Sequence, residues 1–505
     1  MEISNLIWNS ALANVAINLK AIDKIANRIH DKKTHIYRGN YQRDRDRILY
    51  TASFRRLIGK TQVFNPGIGE HYRNRLTHTL EVIQIATTIS KCLGLNLELT
   101  EAIALGHDIG HAPFGHVGER TLNYIMNNCD VLENYKIVLN KGQKGFKHNL
   151  QGLRILYNTE KYSRKYEGID ITNDTLWGIL NHTTIKMKKC DNLCANKKYC
   201  LMKRDRQGFE CKNINNDEAC LDFSFYDQYI DQLKDNCWTF EAYVVKYADE
   251  IAQRHHDIED GIISNIFDPL SFINIFHEAF DKSACYTKKK ENEVKNIREE
   301  INKANNSYHE YEYLLPLLSK FIIEFYVSNY IFAIAKKLKR LINKYSINSS
   351  SDFYGKKSKI FEEYGKEEGI DNSVMSFNDE FNNRDEKVKD LLYKRIINSR
   401  KAKLMDGKGT YIIRNLFEAY LSTPNQLPDN IIVKLFTDYG IVKLGETITK
   451  YDIGGLRSDL ENKKAISDDS FVFHLCRNIC DYITSMTDRY AQKQYEKLYG
   501  STILE

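Results

Sequence analysis

The stretch His107-Asp108-Ile109-Gly110-His111-Ala112-Pro113-Phe114-Gly115-His116-Val117-Gly118-Glu119 decides the reading of this chain. It packs three histidines and two carboxylates into thirteen residues, a density that points to a metal-dependent hydrolase. The adjacent His107-Asp108 pair joins an imidazole to a hard oxygen donor, a combination that suits manganese, iron, magnesium or zinc better than a structural thiolate site would. Taken alone, a His-Asp dipeptide is usually a surface pair. Here it follows the apolar run Ala102 to Leu105, which predicts burial, and buried imidazoles and carboxylates need partners.

Two residues do not hold a metal, so further ligands must come from elsewhere in the chain. Upstream, Arg75-Leu-Thr-His78-Thr-Leu-Glu-Val opens an apolar-periodic run that continues to Ser90. Downstream lies Tyr247-Ala-Asp249-Glu-Ile-Ala-Gln253-Arg-His-His-Asp257-Ile-Glu-Asp260. One ligand from each yields the order His78, His107-Asp108, Asp249, spread over three separate helices. Asp249, Gln253, Asp257 and Asp260 follow at four, four and three residues, which lines one helix face.

Outside these segments, apolar residues recur three and four apart, as in Leu76, Leu80, Ile83 and in Leu314, Leu317, Leu318, Phe321, Ile322. That period predicts a mainly α protein. Strand-like runs are few: Thr410–Ile413 and Ile431–Phe436 are the candidates for a small accessory β-hairpin. The charged run from Lys288 reads as a solvated helix, and Ser349 through Gly369 as a polar surface excursion. No internal repeat is visible.

With 505 residues the chain can bury a large core. A formal charge of +6 is small for this size and does not by itself indicate nucleic-acid binding, because a polyanionic small ligand needs only a local basic pocket. No run of eighteen apolar residues occurs, and Met1-Glu-Ile-Ser-Asn lacks the pattern of a signal peptide, so a cytoplasmic protein with no membrane partner is expected.

Six of the eleven cysteines fall between 190 and 237. In a reducing compartment such clustering favours a metal over disulfides. The spacing C-x3-C-x5-C-x10-C is not a standard zinc-finger pattern. Two readings stay open: a structural zinc or iron-sulfur cluster on Cys190, Cys194, Cys200 and Cys211, with Cys220 as alternative fourth ligand, or reduced, unliganded thiols.

The catalytic segments resemble the HD-domain deoxynucleoside triphosphate triphosphohydrolases, the dGTPase family. Tyr41-Gln-Arg-Asp-Arg-Asp-Arg-Ile through Lys60-Thr-Gln62-Val-Phe64 is similar to a signature of that family, as is Ile479-Cys-Asp-Tyr-Ile-Thr-Ser-Met-Thr-Asp-Arg-Tyr-Ala491. The matches run from about residue 40 to about residue 491, with 280 to 470 alike in order and length only. The resemblance implies an HD-domain helical fold: a catalytic core over 1–280, carrying the cysteine-rich insertion at about 186–240, and a mainly helical region over 281–505 that completes the core.

The resemblance also implies hydrolysis of a dGTP-like substrate to deoxynucleoside and inorganic triphosphate, with Mn2+, Mg2+ or Fe2+ held by His78, His107, Asp108 and Asp249. His116 and Glu119 match the family's catalytic pair, in which a carboxylate orients an imidazole for proton transfer. Arg75 resembles the arginine that meets the α-phosphate, Gln62 a residue near sugar or base, and His148 an active-site histidine. His111, four residues after His107, reads as support for the ligands or as a triphosphate contact. Asp257 matches the acceptor for the ribose 3′ hydroxyl. Gln253 departs from the family, where many members carry a tyrosine against the sugar, and this puts deoxy-versus-ribo discrimination in question.

Members are commonly homo-oligomers, often hexamers built from dimers. Two alternatives differ in kind: another nucleotide phosphohydrolase of the wider HD superfamily, and a regulator that binds single-stranded DNA or a nucleotide.

Overall fold

Apolar residues three and four apart build helices along nearly the whole described chain. The computed structural model describes residues 13–500 apart from 31–34, 63–72, 130–131, 133–138, 184–222, 234–236, 265, 267, 282, 284–285, 305–310, 365–369, 444–445, 447 and 462–467. The candidate thiol ligands Cys190, Cys194, Cys200, Cys211 and Cys220 lie outside the described residues.

In chain order the first helices are α1 (Asn40–Leu49), α2 (Ala52–Arg56), α3 (Arg75–Leu93), α4 (Leu97–Gly106), α5 (Gly115–Met126), α6 (His148–Arg154) and α7 (Asn173–Asn181). A short α8 (Asp227–Ile230) precedes the long α9 (Phe240–Ile263). Then come α10 (Pro269–Phe280), α11 (Lys288–Ala304), α12 (Tyr311–Tyr345), α13 (Ser350–Tyr364) and α14 (Asp379–Leu392). The last are α15 (Arg400–Ser422), α16 (Asp429–Asp438), α17 (Lys450–Glu461), α18 (Asp469–Thr484) and α19 (Asp488–Tyr499).

Caps fix the helices that matter to the site. The Asn74 side chain accepts from Thr77 N and starts α3 one residue before Arg75, while Gly94, at φ 81°, closes it in the left-handed conformation. Asn96 caps α4 and Thr239 caps α9 in the same way. Helices α3, α4 and α9 pack on one another, with α1 against α4 and α12 against α9. Ile85, Ile89, Ile103, Val244 and Ile251 are fully buried in that core. Each such side chain stabilises the fold by about 2 kcal/mol.

A second apolar cluster joins α5 to the C-terminal helices. Leu122, Ile125 and Met126 meet Ile413, Leu416 and Phe417 of α15 and Leu475, Ile479 and Ile483 of α18. The catalytic motif lies where the two clusters meet.

Three expectations are corrected. Thr410–Ile413 and Ile431–Phe436 are not strands but parts of α15 and α16, and among the described residues only isolated bridges, Thr61 with Asn74 and Lys161 with Gly168, pair extended backbone. Their β-branched residues are overruled by burial, because Ile412, Ile413, Leu416 and Phe417 form a helical face on the second cluster. Ser350–Tyr364 is a helix rather than a surface excursion, with Phe353, Lys357 and Ile360 buried at four- and three-residue spacing. The charged helix α11 is solvated on one side only, since Val294, Ile297 and Ile301 are buried. Helix α12 is apolar and long enough to cross a membrane by length and composition, but Leu314, Leu318, Phe321, Ile322 and Phe325 bury it in the core.

Candidate active site

Helix α3 presents Arg75 and His78 from its first turn, α9 presents Asp249, and His107-Asp108 stands at the C-terminal end of α4. These elements bring the four predicted ligands together. His78 Nε2 lies 2.9 Å from Asp249 Oδ1, and His107 Nε2 lies 3.8 Å from the same oxygen and 3.6 Å from Asp108 Oδ1. The His107 Nδ1–H donates to the Ala104 carbonyl at 2.6 Å, which leaves Nε2 as a bare lone pair. That Nε2 is buried and has no hydrogen-bond partner. A buried lone pair beside two carboxylate oxygens is an arrangement of acceptors with nothing to accept, and a cation resolves it. His78, His107 and Asp108 offer ligand atoms close enough to share one ion, and Asp249 lies against both imidazoles, a donor set that fits a divalent metal.

Arg75 borders this cluster. Its Nη1 donates to Asp108 Oδ2 at 2.8 Å, and its Nε and Nη2 are buried without a hydrogen-bond partner. Burial raises the pKa of the Asp108 carboxyl, but Arg75 and the neighbouring histidines outweigh it and hold the group well below the usual carboxylate range.

On the other side of Asp108 lies a second group of imidazoles. The chain leaves α4 at Gly106, so His111 does not continue a helical face from His107 as its spacing suggests. It turns back instead, placing its Nε2 3.1 Å from Asp108 Oδ1. The His111 ring stacks on His148, with centroids 3.8 Å apart. Close backbone approach makes this possible: a Cβ on Gly110 would sit 1.9 Å from the His148 carbonyl oxygen and 2.5 Å from Gly152 N.

Glu119 goes to His148 rather than to His116. Its carboxylate accepts from His148 N at 2.9 Å, from His148 Nδ1 and from Lys147 Nζ at 2.7 Å. His116 stays exposed at the edge of the group, 5.5 Å from the His111 ring and 6.4 Å from that of His148. Protein packed near the imidazole still strips part of its hydration. That desolvation outweighs the attraction of Glu119 and lowers its pKa to about 4, with the Arg75 charge adding to the effect.

Known protein families match both halves of the chain. Residues 75–254 match the HD domain, and residues 375–437 and 456–497 match the phosphohydrolase-associated domain. The chain is 30% identical over 477 residues to a deoxyguanosinetriphosphate triphosphohydrolase-like protein of Leptospira interrogans, covering 93% of this chain and 92% of that one. It is 29% identical over 475 residues to a protein of the same description from Rickettsia felis, covering 94% and 95%. The chain belongs to the HD-domain deoxyguanosinetriphosphate triphosphohydrolase-like family.

As an HD-domain phosphohydrolase it also carries residues whose part the sequence did not reveal. Asp488, in the family-like segment near the C-terminus, accepts from Thr61 N at 3.0 Å, from Thr61 Oγ1 and from Phe114 N at 2.9 Å. Phe114 and Gly115 both take left-handed backbone, at φ 61°, which turns the chain into α5. For phenylalanine that conformation costs roughly 1–2 kcal/mol, offset where such a clasp holds it. Lys60 Nζ donates to the carbonyls of His111 and, at 2.8 Å, of Thr484. Burial, with help from the Arg75 charge, lowers the Lys60 pKa to about 7. Gln62 follows on this clasped segment, and its Oε1 is buried without a partner.

His182 Nε2 lies 3.2 Å from His148 Nε2, and its Nδ1 donates to the Ile179 carbonyl at 2.7 Å. A lone histidine between Asn181 and Thr183 has no spacing signal that would have found it. Asp257, two turns beyond Asp249, has a buried Oδ1 without a hydrogen-bond partner, and burial, with Asp260 second, raises its pKa to about 7. Gln253 sits half-buried between them on α9. His256, on the same helix, reaches His78, with their Nδ1 atoms 3.3 Å apart.

Proposed function

We propose that the protein hydrolyses deoxynucleoside triphosphates, dGTP among them, to the deoxynucleoside and inorganic triphosphate. One observation carries the reading: the partnerless Nε and Nη2 of Arg75 are buried beside the converging His78, His107, Asp108 and Asp249. A guanidinium fork next to a cation site is a slot for a phosphate group. The names of the relatives support the substrate class.

His78, His107, Asp108 and Asp249 would hold Mn2+, Mg2+ or Fe2+, which when bound supplies acidification of water and neutralisation of phosphoryl charge. Arg75 fixes the α-phosphate with the donors left over from its bond to Asp108. Asp257 accepts from the ribose 3′ hydroxyl, Gln62 lies toward the sugar or base, and the short amide of Gln253 leaves a family aromatic position unfilled. His116, open to solvent, delivers the proton to the departing 5′ oxygen. An incoming polyanion raises the basicity of an imidazole beside it, which moves His116 up from about 4 toward working pH. Glu119 acts through His148, whose ring supports His111.

The test is product analysis with Mn2+ and each of the four deoxynucleoside triphosphates, with GTP alongside and Asp108→Ala as control. Deoxynucleoside plus triphosphate that disappears in the variant is the expected result. Release of orthophosphate or pyrophosphate instead would assign the chain to a different nucleotide phosphohydrolase.

A further inference from the structure

We infer that Glu81 and His256 form a relay that sets the tautomer and aim of His78, the metal ligand assigned above; the inference rests on that assignment. Glu81 lies on α3, one turn after His78, and its Oε2 is 2.5 Å from His256 Nε2 on α9. His256 Nδ1 lies 3.3 Å from His78 Nδ1, and His78 Nε2 in turn faces Asp249 Oδ1 at 2.9 Å. Both imidazoles are buried.

Where the metal assigned above would take the place of a proton between His78 Nε2 and Asp249 Oδ1, the remaining proton positions along this line follow. An ionised carboxylate only accepts, so His256 Nε2 carries the proton and donates to Glu81. The neutral His256 ring then has a lone pair on Nδ1, which accepts from His78 Nδ1–H. His78 Nε2 then keeps a lone pair on the side of Asp249 Oδ1, and a cation bound there would satisfy both acceptors. The opposite polarity would set the His256 Nε2 lone pair against the Glu81 carboxylate.

Glu81 is held at its far end by Arg73, whose Nε donates to Oε1 at 2.8 Å and whose Nη2 lies 2.5 Å from Glu259. Glu81, His255 and His256 are close enough to share a cation themselves. Arg73 already supplies positive charge to Glu81 there, so the cluster serves the neighbouring site rather than a second ion.

The relay is tested by titrating Mn2+ alone into the full-length protein and reading free Mn2+ by electron paramagnetic resonance. His256→Leu removes the acceptor and should weaken Mn2+ binding by roughly 10- to 100-fold. His256→Asn keeps a side-chain oxygen near the place of Nδ1 and should recover most of that loss. Glu81→Gln, which can still accept from His256, should weaken binding by a smaller factor, and it keeps the test alive if His256→Leu does not fold. Wild-type affinity in His256→Leu, or equal losses in the leucine and asparagine variants, would overturn the relay. Turnover plays no part in this readout, so a wild type that binds Mn2+ and hydrolyses no nucleotide would sink the substrate proposal alone.

Discussion

Two groups of imidazoles stand on either side of Asp108, built from the same residue type and opposite in electrostatic design. On the α9 side, His107, Asp108 and Asp249 bring acceptors together, and the inferred relay behind His78 turns its other nitrogen toward them. On the α6 side, His148 meets a carboxylate at Nδ1, and its Nε2 faces the Nε2 of a second imidazole whose own Nδ1 already donates. The difference teaches that partners, not the histidines themselves, decide whether an imidazole receives a cation or carries a proton. Helices α3 and α9 supply His78 and Asp249 to the first group, and His107 and Asp108 follow the end of α4. The second rests on a turn and on segments that reach it from far along the chain.

Removing Asp108, which touches both groups, is the strongest way to break this contrast. Asp108→Ala should lose bound Mn2+ and lower turnover by roughly 10³ or more, given the several kcal/mol a metal contributes and about 1.4 kcal/mol per tenfold. Metal analysis beside kinetics reads both, and retention of either would dissolve the division. Next in size, His116→Asn and His148→Asn should each keep Mn2+ and lose turnover by roughly 10² or more. A variant of this pair that loses its metal would move that residue to the other group.

The smallest effect sharpens the acceptor-rich side. Asp257 has a folded-state pKa of about 7, raised by burial above an unfolded value of about 3.9. A raised carboxyl stabilises fully below the unfolded value, and that contribution is lost as pH climbs through the folded one. Thermal melts should therefore show Asp257→Asn more stable than wild type at pH 8, with the gap closing toward pH 4. A pH-independent gap would mean that Asp257 is ionised throughout and paired.

How much of this was legible depends on whether function or packing wrote the signal. The candidate ligands His78, His107, Asp108 and Asp249 could be grouped from sequence because metal chemistry demands those residue types, and the fold brings them side by side. The pairing of Glu119 with His148, by contrast, depends on how α6 settles against Gly110, which no spacing encodes. His182, Glu81 and His256 are single residues whose meaning comes only from what they face. Helical content was readable throughout from the three- and four-residue period, yet Ile431-Ile432-Val433 in α16 looked like a strand because local β-preference says nothing about which apolar surface will cover it. The helix Ser350–Tyr364 hid behind its serines, although Phe353, Lys357 and Ile360 already marked a face; the Lys357 ammonium lies 5.2 Å from the Trp238 ring centre.

Asp488 ties Thr61, on the segment after α2, to Phe114, at the turn into α5, from a position far beyond Asp249 in the sequence. Such a clasp completes the candidate site only once α19 has been made. A ribosome exposes roughly 5–20 residues each second, so tens of seconds separate synthesis of the ligands from arrival of the residue that fixes their loop. For that interval the nascent polypeptide has the helices of the candidate site but not the clasp that holds Thr61 and Phe114.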